Sequence, residues 1–214
     1  MPNIIKPQKT IRSKGRPRNF DREKALTQAL DIFWRRGYQP ASIAELCKAM
    51  GINAPSLYAT FGNKASLFLE AVRFYEAKYW DAPSRKFEEE PDLYRAVAEF
   101  FRDAAHILLS PDTPCGCMLV LGAINVSEDA KEVTKSVREL RFVTKGMFAK
   151  RLMRGLAEGQ LPADTDIPAL ATALNTMFEG LSIQARDGLS QSELETIASH
   201  AVRLLPGWES QLKK

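Results

Sequence analysis

The chain has 214 residues, 45% of them hydrophobic and 26% charged. That is ordinary globular composition, enough for one large or two small cores, and it excludes fibrous and low-complexity classes. Residues 1–22 hold seven Lys and Arg against Asp21 alone, so +6 of charge sits in a short tail and the rest of the +4 chain sums to −2.

No apolar run approaches the roughly 20 residues needed to span a bilayer. The opening MPNIIKPQKTIRSKGRPRNF lacks the apolar centre of a secretory signal. Three cysteines, Cys47, Cys115 and Cys117, are too few for a disulfide framework. The expectation is a soluble cytoplasmic protein with no membrane partner. Residues 1–20 read as a basic flexible arm, a common signature of contact with a phosphate backbone.

Apolar spacing is helical almost throughout, which predicts an all-α fold. Asp21 caps a first helix to about residue 36, with Leu26, Ala29, Leu30 and Phe33 on its apolar face. Ser42, with Glu45 three residues later, has the pattern of a capping box and opens a second helix. Gly51 makes a turn, Asn53 caps a third helix, and Pro55 falls in its first turn, where a missing N–H is harmless. A fourth helix is expected over about 65–80. Asp81-Ala-Pro-Ser84 reads as an interruption, and the domain boundary is placed there: 21–80 as one domain, 81–214 as the other. Beyond it the pattern predicts helices over about 92–109, 117–126, 127–159, 166–187 and 190–205.

The third helix leaves Ala54, Pro55, Ser56, Tyr58 and Thr60 pointing outward, with Lys64 just beyond. A helix presenting small and hydrogen-bonding side chains and no acids suits the major groove of DNA. Ser56 and Thr60 can donate or accept, and the Ala54 and Thr60 methyls can meet thymine methyls. The Tyr58 hydroxyl and the Lys64 ammonium suit phosphates, although a lid over the small core for Tyr58 and a solvated lysine are the plainer readings. In the arm, Gly15-Arg16-Pro17-Arg18 is narrow and extended, so Arg16 and Arg18 fit a minor groove.

The order Ala29-Leu30-Asp31-Ile32-Phe33, Gly37-Tyr38, Ser42-Ile43-Ala44-Glu45-Leu46, Gly51-Ile52, Ser56-Leu57-Tyr58, Phe61, Lys64, Leu67 resembles the tetracycline-repressor (TetR/AcrR) family of bacterial transcriptional regulators over about residues 22–75. The resemblance implies a helix-turn-helix head joined by a fourth helix to a carboxy-terminal ligand-binding and dimerisation bundle. It also implies a homodimeric, non-enzymatic repressor of double-stranded DNA. It maps Ser42, Ala54, Ser56, Tyr58, Thr60 and Lys64 onto DNA-facing positions.

In the second half, the apolar segment 115–124 and its aromatic surroundings offer a cavity for a small hydrophobic or aromatic effector. Phe101, His106, Cys117, Leu121, Phe142, Met177 and Phe178 are the candidates, each competing with an ordinary core role. Apolar stripes on the last two helices, including Leu170, Leu174, Leu181, Ile197 and Ala201, are candidates for a dimer interface. The pair Cys115/Cys117 raises an alternative, a thiol-based redox or electrophile sensor, although a pocket or packing role suits it better. Two histidines and one C-x-C pair offer no standard zinc spacing. No G-x-S-x-G elbow occurs, so neither a cofactor nor an enzyme is expected.

Overall fold

The computed structural model describes residues 21–209, and those residues are all-α. The helices are α1 (Arg22–Arg36), α2 (Ile43–Met50), α3 (Ala54–Phe61), α4 (Lys64–Tyr79), α5 (Asp81–Glu89), α6 (Leu93–Leu108), α7 (Met118–Leu121), α8 (Lys131–Ala157), α9 (Ile167–Asp187) and α10 (Gln191–Ser199). Short 3₁₀ turns precede α8 (Glu128–Ala130) and follow α10 (Ala201–Leu204).

The amino-terminal helices form where local chemistry directs them. The Asp21 and Ser42 side chains accept the N–H groups of Lys24 and Glu45, and Asn53 and Asn63 do the same for Ser56 and Ser66. Each satisfies an N–H that the helix itself cannot. The capping box expected at Ser42 is only half made, because Arg36 Nη1 takes the Glu45 carboxylate at 2.7 Å. Leu30, Phe33, Leu46, Leu57, Leu67 and Phe68 are buried to 3% exposure or less and close a small core between α1, α2, α3 and α4. Arg22 pairs with Glu70 and lies 5.0 Å from the Phe61 ring, tying the start of α1 to α3 and α4.

Four expectations are corrected. The break expected over 81–84 falls at Trp80, and residues 81–84 are themselves helical. Trp80 stays near helical geometry (φ −115°, ψ −18°) and α5 starts at once, with Pro83 in the first turn. The segment after Cys117 is helical for only four residues. Its following carbonyl, Gly122 O, is drawn to the turn after α1, where the Tyr38 N–H donates to it at 2.7 Å. Ser127 does not cap the long helix. Its N–H donates to Gln39 Oε1 at 3.3 Å, and a 3₁₀ turn intervenes. The last predicted helix ends at Ser199 and tightens into a 3₁₀ turn.

In the carboxy-terminal part, α6 packs on α5 and α10, and α8 on α9. Phe87, Phe100, Phe101, Phe148 and Phe178 make a ring cluster with centroid separations of 5.1–6.5 Å. Arg151 is buried on α8 and donates to the Glu90 and Pro91 carbonyls, closing the turn between α5 and α6.

The two parts meet where α1 crosses the 115–127 segment. Trp34 Nε1 donates to Gly116 O at 2.8 Å. Arg186 of α9 donates to the carbonyls of both Cys115 (3.0 Å) and Trp34 (3.2 Å). Gly116 has φ +82°, and a Cβ there would lie 2.6 Å from Ser182 O and 2.5 Å from Leu121 Cδ1. Only glycine lets this carbonyl reach Trp34.

Gly51 has φ +66°, with open space where a Cβ would go. Gly51→Val is therefore expected to cost about 1–2 kcal/mol through backbone strain alone, and Gly51→Asn clearly less. Gly116→Ala adds overlap to strain and is expected to cost more than about 2 kcal/mol. Denaturant unfolding of the three variants checks both the order and the size.

Candidate functional site

Two regions of the structure have a surface that invites a ligand. The first is the exposed side of α3. Leu57 and Phe61 turn inward, which leaves Pro55, Ser56, Tyr58 and Ala59 exposed and Ala54 and Thr60 at the edges. Tyr58 is 48% exposed, so it does not lid the small core. Ser42, at the start of α2, is also exposed, on the side chain that caps the helix.

Lys64 is not an ordinary solvated lysine. Its ammonium donates to Gln39 O at 3.2 Å and sits 4.5 Å from the Tyr38 ring. Partial burial lowers its pKa. The contacts fix the position of a positive charge one turn beyond α3. Arg16 and Arg18 lie outside the described residues.

A groove of about 1160 Å³ runs beside α3 between α1 and the α2–α3 turn, lined by Lys24, Lys48, Asn53, Ser56 and Thr60 among others. Lys24 and Lys48 are missing from the sequence-based set. Both are exposed lysines on helix faces away from the core. Only the fold shows that α1 and α2 bring them to one groove with Ser56.

The second region is a partly open cavity of about 500 Å³ lined by α4, α5, α6, α8, α9 and the start of α7. Cys117 and Phe178 line it, as expected. Phe101 lies behind the wall, stacked on Phe148 at 6.0 Å. His106 is exposed between α6 and α10, beside Gln191 and Glu195. Leu121 packs beside Gly116, Phe142 is 62% exposed, and Met177 faces an outer groove of α9. None of these five lines the cavity.

Instead Glu76, Trp80, Ser84, Arg85 and Glu88 form one wall, a stripe that runs unbroken from α4 into α5. It spans the segment read as a linker, and that is why sequence reasoning missed it. Leu119, Leu140, Thr144 and Met147 complete the opposite side.

The cysteines are free and differently placed. Cys115 is exposed, whereas Cys47 and Cys117 are buried. Burial pushes the Cys117 thiol up, against weaker opposing help from Tyr75 and nearby N–H groups. A sensor thiol needs accessible thiolate, a condition that exposed Cys115 meets in access and buried Cys117 does not. Tyr75 is likewise pushed well up by burial, and its hydroxyl lies beside Cys117 without a hydrogen bond of good geometry.

The proposed dimer residues divide. Leu174, Leu181 and Ala201 are 0–1% exposed within the single chain, so they fill its own core and no partner can reach them. Leu170 and Ile197 are half-buried. The exposed side of α9 is instead Ala169, Thr172, Ala173, Thr176 and Ile183, with Leu204 alongside. Both sides of α9 carry small or apolar residues, so periodicity could not tell inside from outside. Among the described residues there is no cluster of His, Cys, Asp and Glu that could hold a metal, and no helix is long and apolar enough to cross a membrane.

Comparison with known proteins agrees with this geometry. Residues 25–71 match the family model for bacterial regulatory proteins of the tetR family, and residues 94–201 match a tetracyclin repressor-like carboxy-terminal domain. The HTH-type transcriptional repressor ComR of Escherichia coli (strain K12) is 34% identical over 196 residues, covering 91% of this chain and 93% of that protein. The HTH-type transcriptional repressor BdcR of the same organism is 28% identical over 194 residues, with 91% and 93% covered. Among solved structures, a cysteine-substituted variant of the TetR-family regulator CifR, complexed with 26-bp double-strand operator DNA, superposes with a TM-score of 0.86. It is 38% identical, and the match covers 90% of this chain and 100% of that one. With an exposed third helix, a helical second domain and relatives matched along nearly their whole length, this chain is a member of the TetR family of DNA-binding transcriptional regulators.

Proposed function

We propose that the protein is a cytoplasmic homodimeric repressor that grips a palindromic operator and is released by a small hydrophobic or aromatic effector entering the α4–α9 cavity. The observation that carries this reading is the shared helix. α4 starts at Lys64, directly after the reading helix, and ends on the cavity wall at Glu76 and Trp80. An effector that displaces the far end of α4 therefore acts on α3 through one rigid element.

The contact around Trp34 supports the same route. The Trp34 ring meets Tyr75 edge-on at 4.6 Å, and its N–H holds Gly116, the neighbour of cavity-lining Cys117. Two paths from the cavity thus converge on one residue of α1. Release requires the effector to favour the released state, and a coupling of about 1–3 kcal/mol is typical of such switches.

The second copy docks on the outward face of α9. That face is a shallow apolar groove with small residues, which permits close helix approach, and it leaves the reading helices free to enter half-sites about one DNA turn, ~34–36 Å, apart. Ala173→Glu places a charge there without touching the core, since Ala173 is exposed. The variant is expected to keep its helical content and become monomeric by sedimentation. A dimer of unchanged strength would move the interface elsewhere.

On DNA, Ser42, Ala54, Pro55, Ser56, Tyr58 and Thr60 read or flank base edges, Lys64 holds a phosphate, and Arg16 and Arg18 of the arm reach the minor groove. Selection of bound sites from random duplex DNA is expected to return a palindrome. A sequence without two-fold symmetry would overturn the dimeric mode. Lys64→Ala is expected to weaken specific and random DNA alike and to lower the salt slope by about one phosphate contact. Ser56→Ala and Thr60→Ala are expected to change discrimination at particular base pairs, by about 1–3 kcal/mol each. A chain lacking residues 1–18 is expected to bind more weakly with a shallower salt dependence. Unchanged binding would remove the arm from the mechanism.

A further inference from the structure

We propose that the α4–α9 cavity is a receptor for a lipophilic organic cation, with the Glu76 carboxylate as its charge anchor and the rings of Trp80, Phe100 and Phe178 as its wall. The inference rests on the reading that this cavity is the effector site, and it names the chemistry the site takes.

The argument begins with an uncompensated charge. Glu76 is half-buried on the cavity wall, and among the described residues no side chain forms an ion pair or hydrogen bond with it. Burial and the neighbouring Asp81 both disfavour its charged form, and Arg73, exposed one turn earlier, offsets them only in part. A half-buried carboxylate without a partner costs stability that a cation would restore.

The charges around it are otherwise engaged or remote. Glu88, at the cavity mouth, pairs with Lys150 at 2.8 Å. Arg141 is spent on the carbonyls of Leu119 (3.0 Å) and Val120 (2.7 Å). Asp81 and Arg85 are exposed at the rim, one of each sign. Of the four charged residues that line the cavity, three are acids (Glu76, Asp81 and Glu88), and Glu76 alone of the four is half-buried. An anion entering it would meet repulsion, and a neutral molecule would leave the carboxylate unpaired.

The lining beside that charge carries aromatic rings. Trp80 meets Phe178 edge-on at 5.1 Å, and Phe100 lies 5.7 Å from Phe178 and 6.3 Å from Trp80. Ring faces attract cations, most strongly when water is excluded. Trp80 is 9% exposed, and its indole N–H lies beside the Tyr75 hydroxyl. The volume of about 500 Å³ lies within the range of small-molecule sites. Glu76 and Trp80 both sit on the last turns of α4, so a cation held between them bears on the helix that leads to α3.

The test uses three probes of nearly one shape and three charges: N,N,N-trimethyl-2-naphthylammonium, its neutral isostere 2-tert-butylnaphthalene, and 2-naphthalenesulfonate. Binding to the full chain is measured by calorimetry or by quenching of tryptophan emission. The ammonium is expected to bind at least about tenfold more tightly than the isostere, and the sulfonate not at all. Glu76→Gln is expected to bring the ammonium to the affinity of the isostere while leaving the isostere unchanged. Glu76→Lys is expected to exclude the ammonium, which guards against a nonspecific effect of the first variant. Equal binding of all three probes, preference for the sulfonate, or an ammonium affinity indifferent to Glu76→Gln would overturn the proposal. Failure of the induction reading looks different: the ammonium binds in a Glu76-dependent way but leaves operator DNA bound.

Discussion

The structure depends on one hydrogen bond and the ring packing around it. Trp34 gives its indole N–H to Gly116 O and its ring edge to Tyr75. The first contact fixes the 115–117 loop against α1, and the second fixes α1 against α4. Arg186 then ties α9 to the same junction through the Trp34 and Cys115 carbonyls. Because these groups are largely buried, a broken bond would leave donors or acceptors unsatisfied, so the junction favours a few discrete arrangements over gradual slippage.

The charge distribution follows the same division. Lys24, Lys48 and Lys64 surround the reading helix, and the +6 tail precedes α1. The cavity is the opposite: aromatic, low in charge, with a carboxylate inside it. Phosphate contact needs many solvated positive charges, which act at long range and respond to salt. Recognition of one small molecule needs few charges in dry surroundings, where each counts for more. α4 starts at Lys64 and carries Glu76 near its other end, so one helix spans both environments.

The head was largely legible in the chain. Capping residues at Asp21, Ser42 and Asn53, the turn glycine at Gly51, and the inward Leu57 and Phe61 are local signals. They act over three or four residues, and a sequence displays such distances directly. The same holds for the outward set on α3, since a helix with one apolar stripe has only one side left for solvent. The cavity was legible in part, at Cys117 and Leu119 of the 115–124 segment and at Phe100, Met147 and Phe178. Its main wall crosses Asp81–Ser84, where a proline and polar residues imitate a linker yet form the first turn of α5.

The sequence by itself determined the helical class, the exposed side of α3 and the position of the basic tail, because periodicity, capping and charge are properties of neighbours along the chain. Which side of α9 is buried, where the last helices end, and that Glu76 shares a cavity with Phe178 were decided only by tertiary structure. Leu174 and Ala173 are both apolar and adjacent, and packing against α8 and the final turn buries one and exposes the other. The physical reason is that burial is non-directional and goes to whichever apolar surface finds a neighbour, and those neighbours lie tens of residues away along the chain.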